Sequence, residues 1–283
     1  MTNPERAEPA YLTRTSAREL LDRHDLAPSR ALGQNFLCDP SMIAKIVRLA
    51  GIREGDRVIE VGPGLGALSV GLVRAGAELT VVELDQYLIP ALEETLAGAP
   101  VDIRVADAMT FDFSQVYGDE KWALVANLPY NISSPLLLDL LYAQPLMHRA
   151  VVLVQREVGE RLAAGPGSKI YGIPSVLTAY WGTARVVADV PPQLFHPQPK
   201  VDSVLVRIDR WETPPIDADF RLVRRLVRAG FGQRRKMLRR SLSEVLTIEQ
   251  IEAAGVDPTA RAETLELDAW GRLAAQVQPT NAE

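Results

Sequence analysis

The segment Asn127-Leu128-Pro129-Tyr130 combines the residue types needed to hold an aromatic base that carries an exocyclic amine. Pro129 lacks an N–H and restricts the backbone, which leaves carbonyl oxygens free. The side-chain oxygen of Asn127 and a nearby backbone carbonyl can therefore accept both hydrogens of an amine, while the ring of Tyr130 stacks on the base. Two acceptors localise the lone pair of the amine nitrogen, so the amine can attack an electrophile without a nucleophile from the protein.

A base that is flipped out of its stack needs an aromatic platform, and Phe195 is a second candidate for this role. It lies in the proline-rich segment 191–199. The same position suits a side chain that anchors this segment in the core, so both interpretations stay open.

A glycine-rich turn at residues 62–66 follows the β-branched run 58–61 and precedes an amphipathic segment. This pattern predicts a strand, a tight turn with positive φ, and a helix whose first N–H groups point at a ligand. Its spacing, G-x-G-x-G, differs from the G-x-G-x-x-G of dinucleotide sites. Glu60 would repel a diphosphate and suits a cationic amino-acid group, which favours S-adenosylmethionine. A turn that binds no ligand has the same pattern.

Short β-branched runs alternate with helical segments, and the predicted strands are 58–61, 79–83, 101–105, 123–126 and 151–154. Apolar strands that alternate with helices predict a parallel sheet covered on both faces. The alternating run 201–208 predicts a closing strand that pairs as a hairpin with a strand near Val186.

The chemically distinctive residues follow the carboxyl ends of successive predicted strands: the glycine-rich turn, Glu83, Asp107 and Asn127. In a doubly wound sheet, ligands bind at this edge, near the point where the strand order reverses. Glu83 can accept hydrogen bonds from ribose hydroxyls, and Asp107 can accept one from an adenine amino group. Each acid also suits a helix N-cap.

Helices are expected on both sides of the strand region. Thr15 or Ser16 could cap a helix that ends near His24, with residues 1–14 loosely attached before it. A second helix is predicted over 39–50. Beyond a linker at 211–215, three or four helices are expected. The chain is therefore predicted to form an α/β domain and a small helical domain.

The composition, with 47% hydrophobic and 24% charged residues, is typical of a soluble globular protein. The single cysteine, Cys38, excludes an internal disulfide. The polar N-terminus lacks the apolar region of a signal peptide, and no apolar run has transmembrane length. The three histidines have no metal-binding spacing, and no Walker or G-x-S-x-G motif is present. A metal site and a membrane partner are therefore not expected.

The net charge of −5 conceals a basic segment, since residues 221–240 contain nine cations and no acid. Like charges at this density repel one another, which favours an anionic partner such as nucleic acid. A solvated helix face is the simpler alternative.

In their order along the chain, these motifs resemble those of the ribosomal RNA adenine N6,N6-dimethyltransferases, in particular the bacterial small-subunit enzymes whose loss confers kasugamycin resistance. The resemblance covers about 32–275 and is carried by Leu32-Gly-Gln-Asn-Phe-Leu37, Glu60-Val-Gly-Pro-Gly-Leu-Gly66, Val82-Glu-Leu-Asp85, Asp107-Ala108, Asn127-Leu-Pro-Tyr-Asn-Ile132, Phe195-His-Pro-Gln-Pro-Lys-Val-Asp-Ser203 and Phe231-Gly-Gln-Arg-Arg-Lys236.

The resemblance implies a Rossmann-like α/β fold of the S-adenosylmethionine-dependent methyltransferases, with a mixed seven-stranded sheet and a small C-terminal all-helical domain. Residues 1–212 would form the methyltransferase domain and residues 213–283 a helical rRNA-binding domain. The implied reaction transfers methyl groups from S-adenosylmethionine to N6 of two adjacent adenosines near the 3′ end of 16S rRNA, giving S-adenosylhomocysteine. The substrate would be the 30S subunit or its precursor, and the enzyme a cytoplasmic monomer without a metal, acting in small-subunit biogenesis.

The resemblance also implies three sets of site residues. The cofactor set is Asn35, Leu37, Gly62, Gly64, Glu83, Asp107 and Asn127. The catalytic set around the adenine is Asn127, Leu128, Tyr130 and Phe195. The rRNA-binding set is Arg234, Arg235, Lys236 and Arg239.

Three other functions compete with this interpretation. One is the related 23S rRNA adenine N6-methyltransferase of the macrolide-resistance type. Another is a dinucleotide oxidoreductase, which the glycine turn and Glu83 favour but which leaves Asn127–Tyr130 without a role. The last is a non-catalytic assembly factor on a methylase fold, against which the intact Asn127–Tyr130 segment argues.

Overall fold

A computed structural model describes residues 9–29 and 31–277. The chain forms two compact units. The first comprises the residues up to 159 together with 185–209, and the second comprises 160–184 and the residues from 210 onward. The predicted division into a methyltransferase domain, 1–212, and an rRNA-binding domain, 213–283, is a functional assignment and stays a prediction.

The main sheet has seven strands in the order β4-β3-β2-β5-β6-β9-β7. A separate two-stranded sheet pairs β1 with β8. The strands are β1 (Phe36–Leu37), β2 (Arg57–Val61), β3 (Glu78–Glu83), β4 (Val101–Val105), β5 (Trp122–Asn127), β6 (Met147–Gln155), β7 (Gly182–Val190), β8 (Phe195–His196) and β9 (Ser203–Arg210).

One α-helix precedes the first strand, and the others lie between the strands or after the last one. They are α1 (Arg14–Arg23), α2 (Pro40–Ala50), α3 (Ala67–Arg74), α4 (Ile89–Thr95), α5 (Ser114–Tyr117), α6 (Ser133–Ala143), α7 (Arg156–Leu162), α8 (Ile173–Trp181), α9 (Phe220–Gly232), α10 (Leu238–Ser241), α11 (Ile248–Ala253) and α12 (Leu267–Ala274). Within the described residues, none of them is both long and apolar enough to cross a bilayer.

The strand order reverses between β2 and β5. From β2 the chain builds outward through β3 and β4, and it then returns to place β5 on the other side of β2. Strands β2 to β6 are parallel, whereas β9 runs antiparallel to β6. The predicted mixed seven-stranded sheet is therefore confirmed, and the closing strand β9 lies between β6 and β7.

The central strands are buried because helices cover both faces of the sheet. In β5, residues 122–126 are all buried, and in β6, residues 150–154 are all buried. Continuous apolar strands of this kind are typical of covered parallel sheets. On one face, α2 and α3 pack so closely that a Cβ at Gly71 would lie 2.5 Å from the Ile43 side chain.

The first helix begins earlier than the sequence predicts. Thr13, not Thr15 or Ser16, is the N-cap, because its hydroxyl accepts from the Ser16 N–H at 3.3 Å while the Ser16 hydroxyl accepts from the Thr13 N–H at 2.9 Å. This reciprocal pair is a capping box, and it fixes the helix start two residues upstream.

The expected loose attachment of residues 1–14 is wrong for the residues that the structure describes, and residues 1–8 lie outside them. Leu12 is buried, and Arg74 lies over the Tyr11 ring at 5.0 Å while donating to the Pro9 carbonyl at 3.2 Å. The arginine therefore attaches this segment to α3.

The second unit is helical around an amphipathic α9. Its apolar face contributes Val223, Leu226 and Val227, which are fully buried, and α12 contributes the fully buried Trp270. Four α-helices follow the predicted linker in the described residues, which agrees with the expected three or four.

Two glycines at the end of α9 provide a test of this packing. A Cβ at Gly230 would lie 2.7 Å from the Trp270 ring, whereas a Cβ at Gly232 meets nothing within 4 Å. We expect Gly230→Ala to lower the free energy of unfolding by about 1–3 kcal/mol, because overpacking shifts the ring. Gly232→Ala, the matched control, should leave stability unchanged or raise it slightly. Equal midpoints for the two variants in urea unfolding would contradict this packing.

Candidate active site

A cavity opens at the carboxyl edge of the sheet, in the first unit, where the strand order reverses. Its empty volume, with the open solvent at its mouth included, is about 1140 Å³. It is lined by the loop 32–37 and by the segments that follow β2, β3, β4 and β5. The predicted residues that line it are Asn35, Leu37, Gly62, Gly64, Glu83, Asp107, Asn127, Leu128 and Tyr130.

The glycine-rich turn adopts the predicted left-handed backbone. Gly62 has φ 68° and Gly64 has φ 57°, values that L side chains rarely adopt. A Cβ at Gly64 would also lie 2.8 Å from the Phe36 ring, and one at Gly62 would lie 3.3 Å from the Pro129 ring. The glycines therefore bring the turn close to the loop 32–37 and to the segment after β5.

Glu83 joins the ends of two strands through its carboxylate. Its Oε2 accepts from the Gly64 N–H at 3.0 Å, and its Oε1 accepts from the Asp85 N–H at 2.9 Å. The side chain is buried, and this burial raises its pKa. Because each carboxylate oxygen has two lone pairs, both oxygens can also accept from a ligand hydroxyl.

Glu60 is more deeply buried than the sequence suggests, with 1% of its surface exposed. Burial raises its pKa to about 8, although the Ser69 hydroxyl donates to Oε2 at 2.6 Å. Glu60 is therefore mostly protonated at neutral pH. The expectation that it repels a diphosphate needs correction, because that argument requires an ionised carboxylate. A cation bound nearby would lower the pKa and restore the charge.

Asn127 is oriented by the loop 32–37. Its Nδ2 donates to the Asn35 carbonyl at 3.1 Å, so its Oδ1 is the end of the amide that can accept from a ligand amine. The loop is held in turn by Gln34, whose Oε1 accepts from the Ser29 N–H at 2.7 Å and whose Nε2 donates to Asp85 Oδ2 at 2.7 Å. In the sequence, Gln34 is distinguished only by its place in the motif at 32–37.

Leu128 and Tyr130 complete the segment after β5. Leu128 is buried and donates its N–H to the Leu153 carbonyl at 3.1 Å, which fixes the backbone. The Tyr130 hydroxyl lies 2.7 Å from the Ser203 hydroxyl, and burial raises the pKa of the phenol. Ser203 has no distinguishing feature in the sequence apart from its place in a motif of the resembled family.

The structure does not bring Phe195 into the cavity. Its side chain is fully buried, and its backbone pairs with Leu37 in the small sheet. Arg14 donates to the Phe195 carbonyl at 2.8 Å and also bonds the Gln193 carbonyl. This environment is that of a core anchor. A stacking role for Phe195 stays a prediction that requires the ring to move.

Asp107 combines its two proposed roles. It lies in the cavity wall and is exposed, and its Oδ1 accepts from the Met109 N–H at 2.9 Å, which caps the following turn. A carboxylate has a second oxygen, so this cap is compatible with a hydrogen bond to a ligand.

The basic segment of the second unit is a helix, a turn and a short helix rather than one helix face. Arg234 pairs with Glu263 at 2.8 Å and donates to the Lys169 carbonyl at 2.6 Å, which ties the loop 165–169 to the helices. In contrast, Arg235, Lys236 and Arg239 are exposed. Arg234 therefore supports the local structure, and its role in rRNA binding stays a prediction. The other three residues of the predicted rRNA-binding set, Arg235, Lys236 and Arg239, form an exposed basic surface.

The structure also bears on metal binding and on the single cysteine. In the described part of the chain, no group of three or more His, Cys, Asp or Glu side chains is arranged to hold a metal ion. Cys38 is buried, and burial raises its pKa to about 11, so it packs as a small apolar side chain.

Comparisons with known proteins agree on one family. The family described as ribosomal RNA adenine dimethylase matches residues 28–278. The chain is 44% identical over 281 residues to "Ribosomal RNA small subunit methyltransferase A" of Cutibacterium acnes, with 94% of each chain covered. It is 46% identical over 251 residues to the protein of the same name from Pseudomonas aeruginosa, covering 88% of this chain and 94% of that one.

Solved structures agree with this result. A dimethyladenosine transferase from Plasmodium falciparum has a TM-score of 0.70 and 25% identity, covering 84% of this chain and 95% of that one. The 23S rRNA methyltransferase ErmE has a TM-score of 0.68 and 27% identity, covering 86% of this chain and 99% of that one.

The raised pKa of Glu60 predicts a pH dependence of stability. The folded-state pKa of about 8 lies above the ordinary value of 4.5, so the protonated group contributes stability that is present below pH 4.5 and is lost as the pH rises through about 8. Glu60→Gln removes this titration and keeps an acceptor for Ser69. Relative to the variant, the wild-type free energy of unfolding should fall by up to about 1.4 kcal/mol per pH unit across this window. Denaturant unfolding of the ligand-free proteins measures it, and a pH-independent difference would refute the raised pKa.

Proposed function

The chain belongs to the ribosomal RNA adenine dimethylase family, and from that premise we propose that it transfers methyl groups from S-adenosylmethionine to N6 of two adjacent adenosines near the 3′ end of 16S rRNA. The observation that carries this proposal is the position of Asn127–Tyr130 in the wall of the same cavity as the glycine-rich turn and Glu83. A methyl donor and the adenine that receives the methyl group can therefore meet at one edge of one sheet.

The side chains and backbone groups that line the cavity suit the chemistry of S-adenosylmethionine. Glu83 offers carboxylate oxygens to ribose hydroxyls, and Asp107 offers one to the adenine amino group. Asn35 and Leu37 belong to the loop 32–37, which lines the cavity. The turn at 62–66 contributes a backbone that a ligand can approach closely. When bound, the cofactor supplies a methyl group on a sulfonium. The ammonium group of its methionine end would favour the ionised form of Glu60.

The protein contributes orientation and charge placement to the reaction. Asn127 Oδ1 and the carbonyl of Leu128 accept the two hydrogens of the adenine amine, and the ring of Tyr130 supports the base. The lone pair of the amine, otherwise delocalised into the base, is then directed at the methyl group. No protein nucleophile takes part in this scheme.

The exposed basic surface of Arg235, Lys236 and Arg239 would bind rRNA phosphates. Because the whole chain is acidic, with a net charge of −5, the attraction must come from local surfaces of this kind. We further propose that the substrate is the 30S subunit or its precursor, that the enzyme acts as a cytoplasmic monomer, and that the reaction needs no metal. The ribosomal names of the relatives support the first of these points.

Methylation of purified ribosomal particles tests this function. With labelled S-adenosylmethionine, we expect label in the 16S RNA of unmethylated 30S particles and none in 50S particles. A primer-extension stop at two adjacent adenosines would locate the product. Asn127→Ala should abolish transfer while largely sparing the binding of 30S particles. Label confined to 23S RNA would favour the alternative, a 23S rRNA methyltransferase like ErmE, whose structure is similar to this chain.

The basic surface predicts a salt dependence. Replacing Arg235, Lys236 and Arg239 with Gln should weaken 30S binding and flatten the plot of log affinity against log salt by about 0.7–0.9 for each phosphate that the variant no longer neutralises. The matched control is Arg53→Gln, an exposed arginine in the loop before β2, which should leave the slope unchanged. An unchanged slope in the triple variant would remove this surface from the rRNA interface.

A further inference from the structure

A buried serine holds the outer end of the Tyr130 side chain. Ser203 is fully buried at the start of β9, and its Oγ lies 2.7 Å from the Tyr130 hydroxyl oxygen. The two residues are 73 positions apart in the chain. Tyr130 also lines the cavity, so the hydrogen bond connects the core to the cavity wall.

The two partners differ in how firmly they are held. Ser203 pairs with Gln155 in the antiparallel register of β6 and β9, and next to it the Arg156 N–H donates to the Asp202 carbonyl at 2.9 Å. Tyr130 instead lies in the irregular segment between β5 and α6, and it is half-buried. A half-buried tyrosine side chain in such a segment can adopt more than one rotamer, and a hydrogen bond to its hydroxyl stabilises one of them.

The bond can persist throughout the reaction. Burial raises the pKa of the Tyr130 phenol, so it stays neutral and keeps its proton at physiological pH. A neutral hydroxyl pair can exchange donor and acceptor roles without losing the bond.

We propose that Ser203 is a positioning residue, which fixes the ring of Tyr130 as the platform for the target adenine. The inference rests on the proposed function, because it presumes that an adenine enters this cavity. Ser203 itself would not touch the base. Its effect would pass through the orientation of the ring, and so through the fraction of bound complexes in which the amine faces the methyl donor.

A role of this kind predicts a specific kinetic pattern. The 30S particle is held mainly through other surfaces, so a loosened platform should leave its KM unchanged and lower kcat. Ser203→Ala and Tyr130→Phe break the same bond from opposite sides, and the second keeps the ring. We expect each variant to lower kcat about two- to tenfold, the range that one hydrogen bond accounts for. The double variant should be no slower than the slower single variant, because the bond can be lost only once.

The experiment measures methylation of 30S particles by the full-length protein, with kcat expressed per S-adenosylhomocysteine-binding site and with thermal midpoints recorded in parallel. Ser175→Ala is the matched control, since Ser175 is a buried serine of the second unit that donates to the Arg161 carbonyl at 2.5 Å. It should lower the thermal midpoint and leave kcat per site unchanged. If Ser203→Ala fails to fold, Tyr130→Phe carries the test alone.

The outcomes separate the two claims. If the wild type methylates 30S particles but Ser203→Ala and Tyr130→Phe keep its kcat, or if their effects multiply in the double variant, the positioning role is wrong and the bond serves stability only. If the wild type does not methylate 30S particles at all, the proposed function fails and this inference fails with it.

Discussion

The pairing of β2 with β5 is the constraint on which the rest of the site depends. Val58 lies opposite Ala123 and Ile59 opposite Leu124, so the two strands end side by side. Because they are parallel and the strand order reverses between them, a crevice forms beyond their carboxyl ends. The glycine-rich turn and the Asn127–Tyr130 segment emerge there, although more than sixty residues of chain separate them. Side-chain chemistry can act at this point only because the backbone has already brought the two segments together.

Two acids buried next to this crevice lower the stability of the ligand-free protein. Glu60 and Glu83 lie in neighbouring strands with their side chains inside the protein, and burial raises the pKa of both. A fold selected only for stability would place apolar side chains here. Buried ionisable groups with shifted pKa values are concentrated at functional sites, where a bound ligand can supply the missing partner charge. The acids are therefore best explained by the cation and the hydroxyls of the proposed donor.

Features that depend on local pattern and strand order could be predicted from the sequence. Features that depend on contacts between residues distant in the chain could not. The β-branched runs, the turn at 62–66 and the common edge of Glu83, Asp107 and Asn127 follow from periodicity and from the rules of parallel sheets. The ion pair of Arg234 with Glu263 does not, because a cation in a basic run has the same local signature whether it is paired or exposed. The burial of Phe195 likewise depends on β1, about 160 residues earlier in the chain.

In the proposed reaction, Asn127 would couple recognition of the methyl donor to recognition of the base. Its amide has two ends: the nitrogen donates to the Asn35 carbonyl of the loop 32–37, and in the proposed reaction the oxygen would accept from the amine of the base. The loop also lines the donor cavity, where Gln34 and Asp85 hold it. In the proposed reaction, a methyl donor that orders this loop would therefore also orient the Asn127 oxygen that accepts from the base. The reverse must hold as well, because coupling between two binding events is reciprocal in free energy. In the proposed reaction, the hydrogen bond from Asn127 to Asn35 would therefore link binding of the methyl donor to binding of the base through a single side chain.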